Sequence, residues 1–254
     1  MTKNENTNSV IDMMLSRSKI KTIYRDSLIQ ETQKRVWRAL KNGYEYDIGI
    51  VKSEQFLRAN VFSRINMVVL YVDLVGSTTM TLELPIDKLA IIISSFAQEM
   101  GSVIMQYDGN ILKFVGDAVI GYFVANNKLL VADNAVNCAN SMIDVINEGI
   151  NPILNQYGYP DLMVKIGIDF GQNTIVRYGS NKDEPHVDLL GPSMNIASKI
   201  QNHAKPNQIL IGCDVYDKLH PIIQKKFRKI KRDNKWNYHS KTTGKIYQLY
   251  EYIK

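Results

Sequence analysis

Six apolar or aromatic residues, Met67-Val68-Val69-Leu70-Tyr71-Val72, run directly into Asp73, and Leu74-Val75-Gly76-Ser77-Thr78-Thr79 follows. A run of this kind has no polar alternation, so neither side of it is suited to water. It reads as a strand covered on both faces, which demands a sheet enclosed by other elements. A carboxylate at the end of such a strand is held rigidly at the sheet's end. Asp73 can there cap the next helix or hold a cation. The Gly-, Ser- and Thr-rich segment after it can offer backbone N–H groups to phosphate. On this stretch alone both readings of Asp73 stand.

The elements around it define a fold class. Residues 1–10 are polar and read as disordered, and Val10 to Asn42 has helical spacing, with Ile29, Val36 and Leu40 recurring and Trp37 beside them. Gly43 to Asp47 breaks that helix. From Ile65 the order is the opening strand, then a helix with Pro85 at its start and an apolar stripe Leu89, Ile92, Ile93, Phe96, Met100, Val103, Ile104. A hairpin follows, Ile111–Val115 and Ala118–Val124, turning at Gly116-Asp117. A second helix runs from Leu130 to Asn147, with Ala132, Val136, Ala139, Ile143 and Ile146 inward and Pro152 punctuating beyond it. Two strands then read as Leu162–Phe170 and Thr174–Tyr178, with a polar loop at Asn181–Pro185. A short strand Asp188–Leu190, a helix from Pro192 to Asn202, a strand Gln208–Ile211 and a short helix to Leu219 come next. The stretch from Lys245 to Tyr252 reads as an alternating edge strand. Strand, helix, strand, strand, helix, strand is the order of a split βαβ, ferredoxin-like α+β fold. The expected division is an N-terminal helical extension over 1–60, a core over 61–220 and a basic segment over 221–254 that completes the domain.

Charge separates these parts. Residues 1–60 carry 11 Lys/Arg against 7 Asp/Glu and residues 221–254 carry 10 against 2, whereas 61–220 carry 10 against 16. An acidic centre suits cation binding better than nucleic-acid binding. The basic tail lacks an interleaved aromatic pattern for base stacking, so no nucleic-acid partner is expected. No apolar run approaches the roughly 20 residues that span a bilayer, and the polar N-terminus has no signal-peptide core. Cys138 and Cys213 stand apart in apolar contexts, as expected for reduced core residues of a cytoplasmic protein.

Asp117 gives Asp73 a candidate companion. In a ferredoxin-like sheet their strands can pair centrally, which sets two carboxylates side by side. Their repulsion is relieved by a divalent cation, and oxygen ligands of this type suit Mg²⁺ or Mn²⁺ completed by phosphate and water. Here the sequence resembles a known family. Tyr71 to Thr78 and Lys113-Phe114-Val115-Gly116-Asp117 are similar to the two metal motifs of the class III nucleotidyl cyclases. Asp188-Leu189-Leu190-Gly191-Pro192-Ser193-Met194-Asn195-Ile196-Ala197-Ser198-Lys199 is similar to the third motif. The resemblance covers roughly residues 62–215, in the family's order.

The resemblance implies a class III cyclase core in which Asp73, Leu74 and Asp117 bind two Mg²⁺ or Mn²⁺ ions. It implies that Gly76, Ser77 and Thr78 cradle the triphosphate and that Lys165 binds it. Lys113 and Asp188 match the residues that read the base, Asn195 the one that orients the ribose. Lys199 stands where the family has a transition-state arginine; it keeps the charge and loses the planar fork. Arg177 is a candidate substitute, and Lys229, Lys231 and Lys235 are candidates for a further phosphate contact. A lysine donating to adenine N1 and a carboxylate accepting from its 6-amino group favour ATP. The expected activity is a soluble adenylate cyclase that acts as a head-to-tail homodimer with two interfacial sites, in intracellular signalling. Two alternatives remain: a pyrimidine (UTP or CTP) cyclase of antiviral signalling, which Lys199 keeps open, and a non-catalytic nucleotide-binding domain.

Overall fold

The computed structural model describes residues 25–42, 49–124, 128–179, 186–231, 236–240 and 243–253. The polar start, the first part of the N-terminal helix, the break at Gly43–Asp47, the loop at Asn181–Pro185 and Lys235 lie outside these.

The opening strand is β1 (Arg64–Leu74). Its side chains alternate into two cores: Val68, Leu70, Val72 and Leu74 enter one, and Met67 and Val69 enter the other. Both faces are therefore covered, as the unbroken apolar run demands. Burial of each such side chain is worth roughly 1.5–3 kcal/mol. β1 pairs antiparallel on one side with β3 (Ala118–Phe123), which pairs with β2 (Asn110–Val115), and on the other with β4 (Val164–Tyr178). The order β2-β3-β1-β4 is the split βαβ expected. The two-residue turn between β2 and β3 requires φ +61° at Gly116, a conformation that L side chains rarely adopt. The sheet continues through β6 (Gln208–Gly212), parallel to β4, then β8 (Leu249–Tyr252) and β7 (Phe227–Lys229), while β5 (His186–Leu190) pairs with the outer half of β4.

α1 (Arg25–Asn42) and α2 (Gly49–Ala59) precede β1; a short α3 (Ser77–Glu83) follows it; α4 (Ile86–Gln106) leads to β2. α5 (Lys128–Asp144) runs through one π-helical turn, Val145–Ile150, into α6 (Asn151–Gln156), and α7 (Pro192–His203) lies between β5 and β6. Two short helices, α8 (Cys213–Tyr216) and α9 (Pro221–Gln224), close the order.

Several expectations are corrected. Pro152 does not end the second helix. The π-helical turn shifts the hydrogen-bond frame just before it, Pro152 falls in the first turn of α6, and the Glu148 carbonyl four residues back accepts from Gln33 Nε2 of α1 at 2.8 Å in place of a proline N–H. The two strands of 162–178 are one. Gly171 lets Ser193 of α7 close against β4, and buried Asn173 bonds Ser193 within the strand, so apparent breakers serve packing. The last strand is not an edge: β8 sits between β6 and β7, and β7 is the edge. The residues after Gly76 form α3 rather than open loop. α2, inside the expected helical extension but not singled out there, packs Leu57 into the second core and bonds Ser53 to the Tyr122 hydroxyl at 3.0 Å. Finally, α4 is by length and composition apolar enough to cross a bilayer. Its stripe, Ile92, Phe96, Met100, Val103 and Ile104, instead fills the main core.

α1 is keyed onto the helices behind the sheet. Glu99 of α4 is 1% exposed and accepts from the Thr32 hydroxyl (2.9 Å) and from Arg35 Nε (2.8 Å) and Nη2 (2.6 Å). At the other end of α1, Arg25 bonds the buried Asp144 and pairs with Glu148. The sequence leaves this segment as either a dimerisation arm or a packing flap; α1 packs on its own core.

Candidate active site

Strand register assembles the site in two rows on one face. The first runs Lys113, Ile120, Tyr71, Gly167 across β2, β3, β1 and β4. The second runs Val115, Ala118, Asp73, Lys165 and, through the parallel pair, Gln208 of β6. Register partners share a face, and strands lie about 4.8 Å apart. Asp73 thus has Lys165 on one side and Ala118 on the other, with Asp117 in the turn next to it.

The two readings of Asp73 now separate. α3 is capped by Gly76 with no side-chain hydrogen bond, so Asp73 is not a helix cap. Its carboxylate instead accepts from Gln201 Nε2 at 3.1 Å. Burial, and then the neighbouring Asp117, push the Asp73 carboxyl above its ordinary range; the Gln201 bond and Lys165 act in the opposite direction. A carboxylate whose charge is disfavoured by burial and by a neighbouring carboxylate suits a cation. Leu74 is 3% exposed with its side chain in the core, which leaves only its main chain for a cation. Among the described residues no group of three or more His, Cys, Asp or Glu stands together. The donor set is two carboxylates and main-chain oxygen. It fits Mg²⁺ or Mn²⁺, which take the remaining ligands from substrate phosphate and water. Ser77, Thr78, Gly116 and Asp117 line a cavity of about 390 Å³ beside this point.

Lys113 and Asp188, 75 residues apart in sequence, meet directly: Lys113 Nζ donates to Asp188 Oδ2 at 2.5 Å. The second Asp188 oxygen accepts the Leu189 N–H at 2.8 Å, which fixes the carboxylate. Tyr71, not singled out in the sequence beyond its motif, lies in the same row as Lys113; burial, and then Asp188, raise its phenol above the ordinary range.

Asn195 and Lys199 share the exposed side of α7. Ile196 and Ile200 pack on the other side with Leu210, Tyr247 and Leu249. The Lys199 ammonium lies 5.8 Å from the centroid of the Tyr238 ring, within cation–π range. α7 sits on β4 at Gly167, where an added Cβ would stand 2.2 Å from Gln201 N and 2.5 Å from Ala197 O. Arg177 is exposed, opposite Val187 and twelve residues along β4 from Lys165. Lys229 and Lys231 do not join the cavity beside Asp117. They line a separate cleft of about 690 Å³ with Lys205, Gln208 and Arg228. Sequence reasoning missed Gln201. Its signal is a polar residue four positions after Ala197, on the buried stripe of an amphipathic helix.

Similarities to known proteins bear on this arrangement. A cytidylate cyclase of Staphylococcus aureus is 31% identical over 167 residues, which is 64% of this chain and 39% of that protein. A uridylate cyclase of Burkholderia cepacia is 32% identical over 154 residues, 59% of this chain and 65% of that protein. The chain therefore spans less than two thirds of the length of these relatives. Among solved structures, the adenylyl cyclase CyaB of P. aeruginosa superposes with a TM-score of 0.64 at 23% identity, over 76% of this chain and 95% of that one, which establishes the fold. The sequence model described as the adenylate and guanylate cyclase catalytic domain matches residues 61–251. With both metal motifs, the Lys113–Asp188 pair and α7 on one sheet face, the chain belongs to the class III nucleotidyl cyclases, the adenylate and guanylate cyclase catalytic domain family.

Proposed function

We propose that the chain is a pyrimidine nucleotide cyclase that converts CTP to 3′,5′-cyclic CMP and pyrophosphate, acting as a homodimer. The observation that carries this is the Lys113–Asp188 contact. One group donates and the other accepts. Cytosine offers an acceptor, N3, beside a donor, its 4-amino group; guanine and uracil offer the reverse in the same orientation. The pair therefore selects cytosine or adenine, whose N1 and 6-amino group form the same edge. The donor–acceptor edge is the same for both, and the choice between them rests on the relatives. The cytidylate and uridylate cyclases among the relatives support a pyrimidine.

The roles follow from position. Lys113 and Asp188 read the base edge. Asn195, on the exposed side of α7, orients the ribose, and Lys199 beside it faces charge that develops at the α-phosphate. Lys165 and the backbone from Gly76 to Thr78 hold the triphosphate. The ribose 3′-hydroxyl gives its proton to water, and its oxygen bonds to the α-phosphorus as the bond from that phosphorus to the oxygen bridging to the β-phosphate breaks and pyrophosphate leaves. Asp73, Asp117 and the Leu74 main chain would hold two divalent cations. These, when bound, neutralise charge on the reacting phosphates.

ATP is the second reading, favoured by the same donor–acceptor edge. Incubation with each of the four labelled nucleoside triphosphates, in Mg²⁺ and in Mn²⁺, separates the readings. Cyclic CMP as the main product is expected, and cyclic AMP in its place supports the second. Cyclic UMP or cyclic GMP as the main product overturns the reading of the Lys113–Asp188 pair.

A further inference from the structure

We infer that Gln201 is the positioning residue that aims Asp73 at the cation, and that it ties cation binding to the helix carrying Asn195 and Lys199. The inference rests on the reading of Asp73 as a cation ligand. Gln201 is 5% exposed, in the last turn of α7, on the side that packs against the sheet. Its partner fixes its orientation: a carboxylate only accepts, so the amide nitrogen faces Asp73. The backbone of Gln201 has no freedom to follow a moving side chain, because Gly167 lies so close beneath it that no Cβ fits between. The side chain thus spans from a clamped helix to β1 and holds one oxygen of Asp73, leaving the other to a cation. Lys199, two residues earlier, points to the opposite side of the same helix turn. One clamped helix therefore fixes the tether on Asp73 and the places of Asn195 and Lys199 together. Partners of this kind, which orient a ligand without touching the metal, typically alter metal affinity 10–100-fold when removed.

The experiment is Mn²⁺ binding to the full chain, followed by the electron paramagnetic resonance signal of free Mn²⁺ without nucleotide, with melting curves taken in chelator and in Mn²⁺. Gln201→Met keeps length and removes the donor; it is expected to bind Mn²⁺ about 10-fold more weakly than wild type. Gln201→Glu places a third carboxylate beside Asp73. It is expected to melt below wild type in chelator and to gain more from Mn²⁺ than wild type does, since a ligand that binds the folded state stabilises it. A purely structural role lowers both melting curves equally. Should Gln201→Met fail to fold, Gln201→Glu carries the test alone. Unchanged Mn²⁺ affinity in Gln201→Met, or a Gln201→Glu deficit that Mn²⁺ does not reduce, overturns the inference. Wild type that binds Mn²⁺ and cyclises no nucleotide, with Gln201→Met binding less, overturns the proposed function and leaves the role of Gln201 standing.

Discussion

Gly167→Ala tests whether the seat of α7 on β4 controls catalysis. The new methyl carbon would stand 2.2 Å from Gln201 N and 2.5 Å from Ala197 O. These are backbone atoms of a helix, so no rotamer change relieves the clash. Ordinary contact begins near 3.4 Å, so α7 has to retreat by roughly 1 Å, and Asn195, Lys199 and Gln201 retreat with it. Misplacement of reacting groups by about 1 Å costs on the order of 10²-fold in rate. Overpacking of this kind costs about 1–3 kcal/mol in stability, a fall of roughly 2–12 °C in melting temperature for a chain of this size. The assay is pyrophosphate release under saturating nucleotide, beside thermal melting followed by circular dichroism. Gly121→Ala is the control: its methyl would meet the Ile104 Cδ1 atom at 2.9 Å, the far end of a side chain that can turn away. A Gly167→Ala protein with turnover within twofold of wild type would refute the reasoning, because α7 would then tolerate displacement without effect on the chemistry.

Two further outcomes follow from buried charge. Asp169 is 1% exposed, accepts from the Tyr247 hydroxyl at 2.6 Å, has no hydrogen-bond partner for Oδ2 among the described residues, and is pushed by burial from 3.8 up to about 8. A carboxyl that holds its proton more tightly when folded loses stability as pH rises between those two values. The melting temperature of wild type relative to Asp169→Asn should therefore fall from pH 5 to pH 8.5; parallel curves would contradict it. On α1, Arg35→Leu leaves Glu99 buried without its guanidinium. It should cost about 3–5 kcal/mol, and adding Glu99→Gln should restore much of that. Urea titration measures both, and a double variant no more stable than the single one argues against the pair.

Much of this architecture is legible in the amino-acid sequence, for a physical reason. β1 and the β2–β3 hairpin are set by local pattern: an unbroken apolar run, and Gly116 where φ must be positive. The two rows that place Lys165 beside Asp73 follow once the ferredoxin-like order is recognised. What escapes is set by distant packing. Gly171 and Asn173 look like a break because their partner, Ser193, is some 20 residues away. Pro152 looks like a stop because nothing local announces a π-helical turn. β7 is three residues, Phe227-Arg228-Lys229, too short and too basic to show a period. At the site, Asp73, Asp117, Lys113 and Asp188 are legible as chemistry-bearing types beside Gly or in strands. Gln201 is not, because an amide draws attention only when it stands on a buried face. No local pattern tells whether Lys229 or Lys231 reaches phosphate, and both line the basic cleft instead.

The position of β8 bears on how the chain folds during synthesis. β7 is made before β8 but pairs only with it, so β7 cannot join the sheet by itself. After β6 has paired with β4, its outer edge, with Leu210 and Ile211, waits for strand β8 across roughly 36 intervening residues. At 5–20 residues per second that wait is on the order of 2–7 s. An open, apolar strand edge during such an interval is a template for pairing with another nascent chain. The unpaired β6 edge is thus a point of exposure in the nascent chain that the folded chain closes, and slower translation of residues 213–248 should lower its soluble yield.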